Sequence, residues 1–141
     1  MQVAGAIGFI TFGYIADAIG RRGAFLLSFI GCAATVPLFV SVRDPNLLLA
    51  VGALVSYFGS AYYSGFAPTF AELFPTSIRA TAQGVMYNGG RAMSAFAPAM
   101  VGFAAGVYGI SSALALTAGF FLLAALIVFF FLPETKATEL T

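Results

Sequence analysis

The chain has 141 residues, of which 61% are hydrophobic and 8% are charged, and its formal net charge is +1. A soluble domain is about 45–50% apolar and about 25% charged, so a soluble fold of this length would have too few polar residues to cover its apolar surface. No basic run is present that could bind a phosphate backbone, so we expect no nucleic-acid partner. The composition instead indicates an integral, multi-pass membrane protein in contact with the lipid bilayer.

Long uncharged stretches separate the charged residues, and their lengths match a bilayer. A helix needs about 20 apolar residues to cross a hydrocarbon core roughly 30 Å thick. Because the apolar runs are continuous and do not alternate, they predict helices and not barrel strands. The sequence therefore predicts an all-α membrane protein with five transmembrane helices, over residues 1–16, 23–42, 46–70, 78–102 and 110–132, followed by a tail over residues 133–141.

The first predicted span is short. Only 16 residues precede Asp17, and a straight helix of that length rises about 24 Å. The segment also lacks the positive start and small-residue cleavage site of a secretory signal. We therefore expect the natural polypeptide to be longer upstream, so that this chain is a fragment.

Pro37 lies inside the second predicted span and Pro98 inside the fourth. Proline removes one hydrogen bond of a helix and clashes with the preceding turn, although neighbouring helices can satisfy the freed carbonyl. Each position is a predicted kink.

The basic residues predict the orientation. The loops with Arg21, Arg22 and Arg79 and the tail with Lys136 fall on one side of the membrane, and Arg43 is alone on the other. Short cytoplasmic loops carry the excess of Lys and Arg. We therefore expect a cytoplasmic C-terminus, an external N-terminus, and a location in the cell (inner) membrane.

Residue types that support catalysis or metal binding are scarce. The chain has no His, and Cys32 is its single cysteine. None of its five carboxylates lies in the middle of a predicted span. We expect no metal, no cofactor and no enzymatic activity, and any coupling proton would be carried by a group outside this segment.

The turn after the first span reads Gly13-Tyr-Ile-Ala-Asp17-Ala-Ile-Gly20-Arg21-Arg22. This pattern resembles the loop signature of the major facilitator superfamily. We expect Gly13 to allow close helix packing, Asp17 to lie at the N-terminus of a neighbouring helix, and Gly20 to permit a tight turn. The two arginines would hold the turn on the cytoplasmic side.

Two further motifs agree with this resemblance. Glu72-Leu-Phe-Pro75-Thr-Ser-Ile-Arg79 resembles the loop between the tenth and eleventh helices of sugar-porter-like members, and Pro133-Glu-Thr-Lys136 resembles the segment after their twelfth helix. The resemblance covers essentially the whole chain. It implies a partial C-terminal half, comprising helices eight to twelve, that works with a missing N-terminal half of the same transporter.

The family resemblance implies secondary active transport by alternating access, in which two halves rock around a site at the membrane midplane. It also implies a cytoplasmic gate that closes the inner side. We assign the charged and glycine positions of the two inner loops to this gate: Gly13, Asp17, Gly20, Arg21, Arg22, Glu72 and Arg79. The alternative is that these charges form exposed pairs worth roughly 0–1 kcal/mol each.

Arg91 lies deep inside the fourth predicted span, about a dozen residues and roughly 18 Å beyond Arg79, near the middle of the bilayer. A charge at that depth costs at least about 2.5–3.5 kcal/mol unless it faces a partner or a water-filled cavity. Polar residues lie on the same side of the helix as Arg91. We expect tyrosines of the third span to face the same cavity. The predicted substrate-binding residues are Arg91, Tyr87, Asn88, Gln83, Tyr62 and Tyr63. The alternative is a structural arginine paired with a carboxylate or with carbonyls in the missing half.

The pair Gly90-Arg91 resembles a Gly-Arg pair in the eleventh helix of superfamily members that carry organic anions with protons. A guanidinium offers a carboxylate two parallel hydrogen bonds. We therefore expect transport of a small organic anion with protons. The Pro-Glu-Thr-Lys ending leaves a sugar or other neutral-solute carrier as the alternative, and a non-transporting truncated membrane fragment as the third.

Overall fold

The computed structural model describes residues 1–133, and within that range it is a bundle of α-helices without a strand. The helices are α1 (Gln2–Ile19), α2 (Arg21–Ser41), α3 (Pro45–Leu73), α4 (Arg79–Ser94), α5 (Ala97–Tyr108) and α6 (Ile110–Phe131). In this range, α1, α2, α3 and α6 are long and apolar enough to cross a membrane. The predicted all-α class is confirmed. The tail motif from Glu134 to Lys136 lies outside the described residues.

Four helices correspond to predicted spans, but they extend into the charged turns. α1 includes Asp17, α2 begins at Arg21, and α3 continues past Glu72 to Leu73. A charged side chain at the edge of the bilayer can reach water while its backbone stays helical. The uncharged gaps therefore mark the depth of the hydrocarbon core and underestimate the length of each helix.

The predicted kink at Pro98, in the span over residues 78–102, corresponds to a break in the structure. The chain forms two helices there, α4 and α5, with a break at Ala95 and Phe96. Pro98 has no N–H to donate to the carbonyl one turn earlier, and the Phe96 N–H bonds the Met93 carbonyl in a tighter turn, at 3.2 Å. α5 then runs on to Tyr108. At the other predicted kink, α2 continues through Pro37.

Single residues make the sharp joins between helices. Gly20 joins α1 to α2 with φ 90°, and Gly109 joins α5 to α6 with φ 83°. Only glycine adopts such values without strain. α3 begins at a cap in which the Asp44 side chain accepts hydrogen bonds from the N–H groups of Asn46 and Leu47, at 2.9 and 3.1 Å.

The helices pack in a defined order. α1 lies along α3, α2 lies between α3 and α6, α5 packs on α6, and α4 contacts α3 and α5. The core between α1, α2 and α3 is aromatic: the Phe25 ring lies 5.2 Å from the Phe12 ring and 6.1 Å from the Phe29 ring. By contrast, α4 and α5 contain no buried residue. They form the loosely packed edge of the described bundle.

Close packing of α1 on α3 depends on Gly5 and Gly8, whereas Gly13 packs on no helix within residues 1–133 and its packing role stays a prediction. A Cβ atom on Gly8 would overlap the backbone carbonyl of Tyr57, whereas a Cβ atom on Gly13 would meet no atom within 4 Å. Gly13 lies on the exposed side of α1. Its place in the sequence motif did not reveal which side of the helix faces a neighbour.

The outer surface of the bundle is apolar. On α6, for example, Phe130 and Phe131 are 72% and 80% exposed, and Phe103 on α5 is 76% exposed. Large contiguous apolar patches are rare on soluble monomers. Together with the four long apolar helices, this surface identifies an integral, multi-pass membrane protein.

Candidate functional site

A cavity of about 420 Å³ lies between α3 and α4. Its walls are largely aromatic, and a single cation lies on its α4 side. The lining residues are Tyr62, Tyr63, Phe66, Phe70, Met86, Tyr87, Gly90, Arg91 and Ser94. The volume falls within the range of about 300–1,000 Å³ that is usual for small-molecule sites.

Two side-chain contacts set the register of α4 on α3. The hydroxyl groups of Tyr63 and Tyr87 contact each other, and the Gln83 amide nitrogen donates to the Ala67 carbonyl at 3.1 Å. A step of four residues along α3 thus matches a step of four back along α4, as expected for antiparallel helices. Continued by one more step, this register would place Arg91 level with Gly59, which lies halfway along α3.

Arg91 lies over an aromatic ring, without a carboxylate beside it. Its guanidinium carbon is 5.8 Å from the centre of the Tyr87 ring. Within residues 1–133, the ion pairs of the structure involve Arg21 and do not include Arg91. Helical side chains lean toward the N-terminus of their helix, which directs Arg91 along the cavity toward Tyr87. Its charge remains available to a ligand from this side.

The structure brings together four of the six predicted substrate-binding residues: Tyr62, Tyr63, Tyr87 and Arg91. Gln83 and Asn88 do not line this cavity, so their role in substrate binding stays a prediction. Gln83 instead bridges α4 to α3, and the Asn88 amide donates to the Gly84 carbonyl of its own helix at 2.8 Å. A polar side chain within a helix often bonds a carbonyl of the preceding turn. That a residue shares a helix side with Arg91 does not show whether its side chain will do so.

Five lining residues were not among the predicted substrate-binding residues: Phe66, Phe70, Met86, Gly90 and Ser94. A signal for two of them was present in the sequence. Tyr62, Phe66 and Phe70 recur every four residues, so they lie on one side of α3. In an apolar span this spacing is equally typical of core packing, which is why it did not indicate a cavity.

A charged cluster occupies the end of the bundle where α1 meets α2; we call it the Arg21 cluster, comprising Asp17, Arg21 and Glu72. Arg21 donates to Asp17 at 2.7 Å and to Glu72 at 2.9 Å. Its Nε donates to the same Glu72 oxygen at 3.0 Å and to the second oxygen at 3.3 Å, so both oxygens of Glu72 accept from Arg21 and the contact is bidentate. The side chains of Arg21 and Glu72 are 18% and 12% exposed, whereas Asp17 is 71% exposed. The cluster joins α1, α2 and α3.

Other residues assigned to the gate have different contacts. The Arg22 guanidinium donates to the Phe129 carbonyl near the end of α6 and lies 4.6 Å from the centre of the Phe129 ring. Arg79 donates from Nε to the Phe74 carbonyl at 3.1 Å. Asp17 contacts the side chain of Arg21, the first residue of α2, so it lies at the N-terminus of a neighbouring helix as expected.

Within residues 1–133, no cluster of three or more His, Cys, Asp or Glu side chains could hold a metal ion. Cys32 is buried in α2. The chemistry that the cavity offers is therefore binding by one guanidinium, three phenol groups and aromatic faces.

Comparison with known proteins gives a family match over the whole chain. The family model described as Major Facilitator Superfamily matches residues 1–141. A Haemophilus influenzae protein whose name assigns it to metabolite transport is 36% identical over 133 residues, which is 94% of this chain and 33% of the relative.

Two further relatives have named solutes. The cis,cis-muconate transport protein of Acinetobacter baylyi is 38% identical over 99 residues, covering 70% of this chain and 24% of the relative. A sialic acid transporter of Escherichia coli is 33% identical over 132 residues, covering 89% of this chain and 32% of the relative. The chain spans a third or less of the length of each of these three curated relatives.

Proposed function

The chain belongs to the Major Facilitator Superfamily, and from that membership we propose that it is part of a carrier that moves a small organic anion across the membrane by alternating access. In this proposal α1, α2, α3 and α6 are the eighth, ninth, tenth and twelfth helices of the carrier, and α4 with α5 forms the eleventh. The cavity between α3 and α4 is then one wall of a substrate site. The rest of the carrier supplies the opposite wall.

The proposal depends on the position and surroundings of Arg91. It lies level with the middle of α3, beside a cavity, and within residues 1–133 it has no carboxylate partner. A charge at membrane depth is retained where it meets an opposite charge or water. A guanidinium keeps its charge at any physiological pH and forms two parallel hydrogen bonds with a carboxylate. An organic anion is the ligand that satisfies both conditions.

The solutes of two relatives support an anion over a neutral solute. Muconate and sialic acid, named for the relatives from A. baylyi and E. coli, are both carboxylic acids. They differ in size and shape, so the carboxylate is the feature they share. The transport names of the relatives also favour a carrier over an enzyme, in agreement with the prediction from residue types.

We propose that the anion is accompanied by protons. Moving one elementary charge against the membrane potential costs about 2.3 kcal/mol per 100 mV, and a co-transported proton cancels that cost for a monovalent anion. Among residues 1–133, the lining of the cavity contains no carboxylate or histidine. The proposal therefore assigns the proton carrier to another part of the transporter.

We also propose that the Arg21 cluster belongs to the cytoplasmic gate. Positive residues favour the cytoplasmic side, which places this end of the bundle, and the C-terminus, in the cytoplasm of a cell whose inner membrane holds the carrier. The cluster ties three helices together. In this role it keeps them moving as one body while contacts to the other half form and break.

Uptake by the protein expressed from its complete reading frame tests the anion proposal. The purified protein is reconstituted in liposomes with labelled muconate, sialic acid or glucose, alone and with a panel of unlabelled carboxylates as competitors. Arg91→Gln is expected to lower anion uptake at least about ten-fold, because the buried carboxylate loses its charged partner. Arg43→Gln is the matched control, since Arg43 is exposed at the opposite end of α2 from the Arg21 cluster.

The outcomes separate the alternatives. Anion uptake by Arg91→Gln at the level of Arg43→Gln would defeat the proposal. Uptake of glucose that no carboxylate inhibits would favour the neutral-solute carrier. No uptake of any solute, from protein that is folded and inserted, would favour a non-transporting membrane fragment.

A further inference from the structure

We propose that the cavity selects planar, conjugated carboxylates, and that Phe66 and Phe70 determine this specificity. The inference rests on the proposed function, because it takes Arg91 as the partner of the carboxylate. It adds the shape of the carbon skeleton, which a guanidinium does not read. The observation behind it is an aromatic wall on α3 that faces the same cavity as the cation.

The wall consists of Tyr62, Phe66 and Phe70, all of which line the cavity. They follow at four-residue intervals along one side of α3, so the wall extends about 12 Å along the helix. The rings of Phe66 and Phe70 are stacked, with centres 5.7 Å apart and an interplanar angle of 19°. The ring of Tyr62 stands edge-on to Phe66, with centres 6.1 Å apart and an angle of 77°.

The register of α4 on α3 sets the order of these groups along the cavity. Tyr63 is opposite Tyr87 and Ala67 is opposite Gln83, so Phe66 and Phe70 lie one and two turns beyond the tyrosine pair, on the side away from Gly59. Arg91 leans over the Tyr87 ring from the Gly59 side. A carboxylate on Arg91 would therefore point its carbon skeleton along the aromatic wall.

Flat and puckered skeletons interact differently with such a wall. Aromatic pairs gain from offset stacking and edge-to-face contacts at centroid distances of about 4.5–7 Å, beyond the burial of apolar area. A saturated ring of the same size buries similar area but presents no π-system, and its puckered shape cannot lie flat between the rings and α4. The wall therefore discriminates between acids that a simple apolar pocket would bind equally.

The two phenylalanines differ in how safely they can be changed. Phe66 also packs on the core ring of Phe25, with centres 5.4 Å apart. Phe70 has its ring contact, among the described residues, with Phe66. Phe70→Leu therefore removes part of the wall with little effect on the core, and Phe66→Leu is the second, more demanding variant.

A matched pair of ligands isolates the effect of planarity. Benzoate and cyclohexanecarboxylate have the same number of carbon atoms and one carboxylate each, and they differ in the flatness of the ring. Binding of each acid to the protein expressed from its complete reading frame is measured by calorimetry in detergent. A binding assay is preferred because the neutral forms of both acids cross liposomes unaided. Phe103→Leu is the matched control, since Phe103 is exposed on α5 outside the cavity.

Wild-type protein and Phe103→Leu are expected to bind benzoate more tightly than cyclohexanecarboxylate, by about five-fold. Phe70→Leu and Phe66→Leu are expected to lower that ratio at least two-fold, mainly by weakening benzoate. A wild-type ratio near one, no binding of either acid, or an unchanged ratio in both variants would overturn the inference.

Arg91→Gln distinguishes this failure from failure of the proposed function. If the proposed function holds, Arg91→Gln weakens both acids by a similar factor, whatever the two phenylalanine variants do. If Arg91→Gln binds both acids as wild-type protein does, the carboxylate partner is wrong and the proposed function fails with the inference.

Discussion

Arg21 and Arg91 are two arginines of one chain with opposite surroundings. Arg21 begins a helix, is largely buried, and is held by two carboxylates at 2.7 and 2.9 Å. Arg91 lies near the end of α4, is exposed to a cavity, and has an aromatic ring as its nearest described partner. The first charge is satisfied by the fold. The charge of Arg91 needs a partner from outside the described bundle, either a substrate or the rest of the carrier.

The comparison separates structural from functional charges without reference to sequence motifs. A charge paired within the bundle contributes to stability, and its removal leaves a buried partner exposed to a low-dielectric environment. A charge left unpaired at membrane depth costs free energy in the ligand-free protein, and binding of an opposite charge offsets that cost. Variants at the two sites should therefore differ in what they damage: folding at Arg21, binding at Arg91.

The largest expected effect on stability is at Glu72. Glu72→Gln removes the bidentate partner of Arg21, and we expect it to lower the free energy of unfolding by about 2–3 kcal/mol, somewhat less than for a fully buried pair. Titration with SDS in mixed micelles measures the change. Asp17→Asn is the control, since Asp17 is mostly exposed and its pair is worth about 0–1 kcal/mol. Equal effects of the two variants would contradict the ranking within the cluster.

An intermediate effect is expected at Arg22, which joins α2 to α6. Arg22→Gln loses the charged donor to the Phe129 carbonyl and the contact with the Phe129 ring. We expect a loss of about 1–2 kcal/mol in the same titration. Arg43→Gln, at an exposed position, should change stability by less than about 0.5 kcal/mol. Comparable values for the two variants would show that the contact with α6 contributes nothing.

The helices of the bundle were largely predictable from the sequence. Uncharged gaps of bilayer length located α1, α2, α3 and α6, because lipid excludes charge so strongly that each gap corresponds to a span. The break between α4 and α5 was harder to predict from the sequence. Pro37 lies within a continuous helix, whereas Pro98 coincides with a break. The local sequence predicts a kink at both positions and does not distinguish the two outcomes.

The candidate site was predictable where a residue is unusual for its depth. Arg91 stands out because charge inside a span is expensive, and Tyr87 followed from its position one turn away. Phe66 and Phe70 did not stand out, because a phenylalanine in a span is equally common in the core, at the lipid surface and in a cavity wall. Asn88 stays a prediction, and in the described residues its amide bonds the Gly84 carbonyl of its own helix.

The smallest effect on stability is expected at Arg91, and it sharpens the contrast with Arg21. Arg91→Gln removes a charge that has no carboxylate partner within residues 1–133. We expect the free energy of unfolding to stay within about 1 kcal/mol of the wild-type value, or to rise, because an uncompensated charge at depth is lost. Anion binding should fall in the same preparation.

A loss of more than about 2 kcal/mol in Arg91→Gln would reverse this reading. It would mean that Arg91 is already paired, with a carboxylate supplied by another part of the carrier. The residue would then be a structural arginine like Arg21, placed between the halves of the transporter. Its contact with the Tyr87 ring would belong to that interface. Stability and anion binding measured on one variant therefore decide between the two roles, since a binding arginine loses only the second.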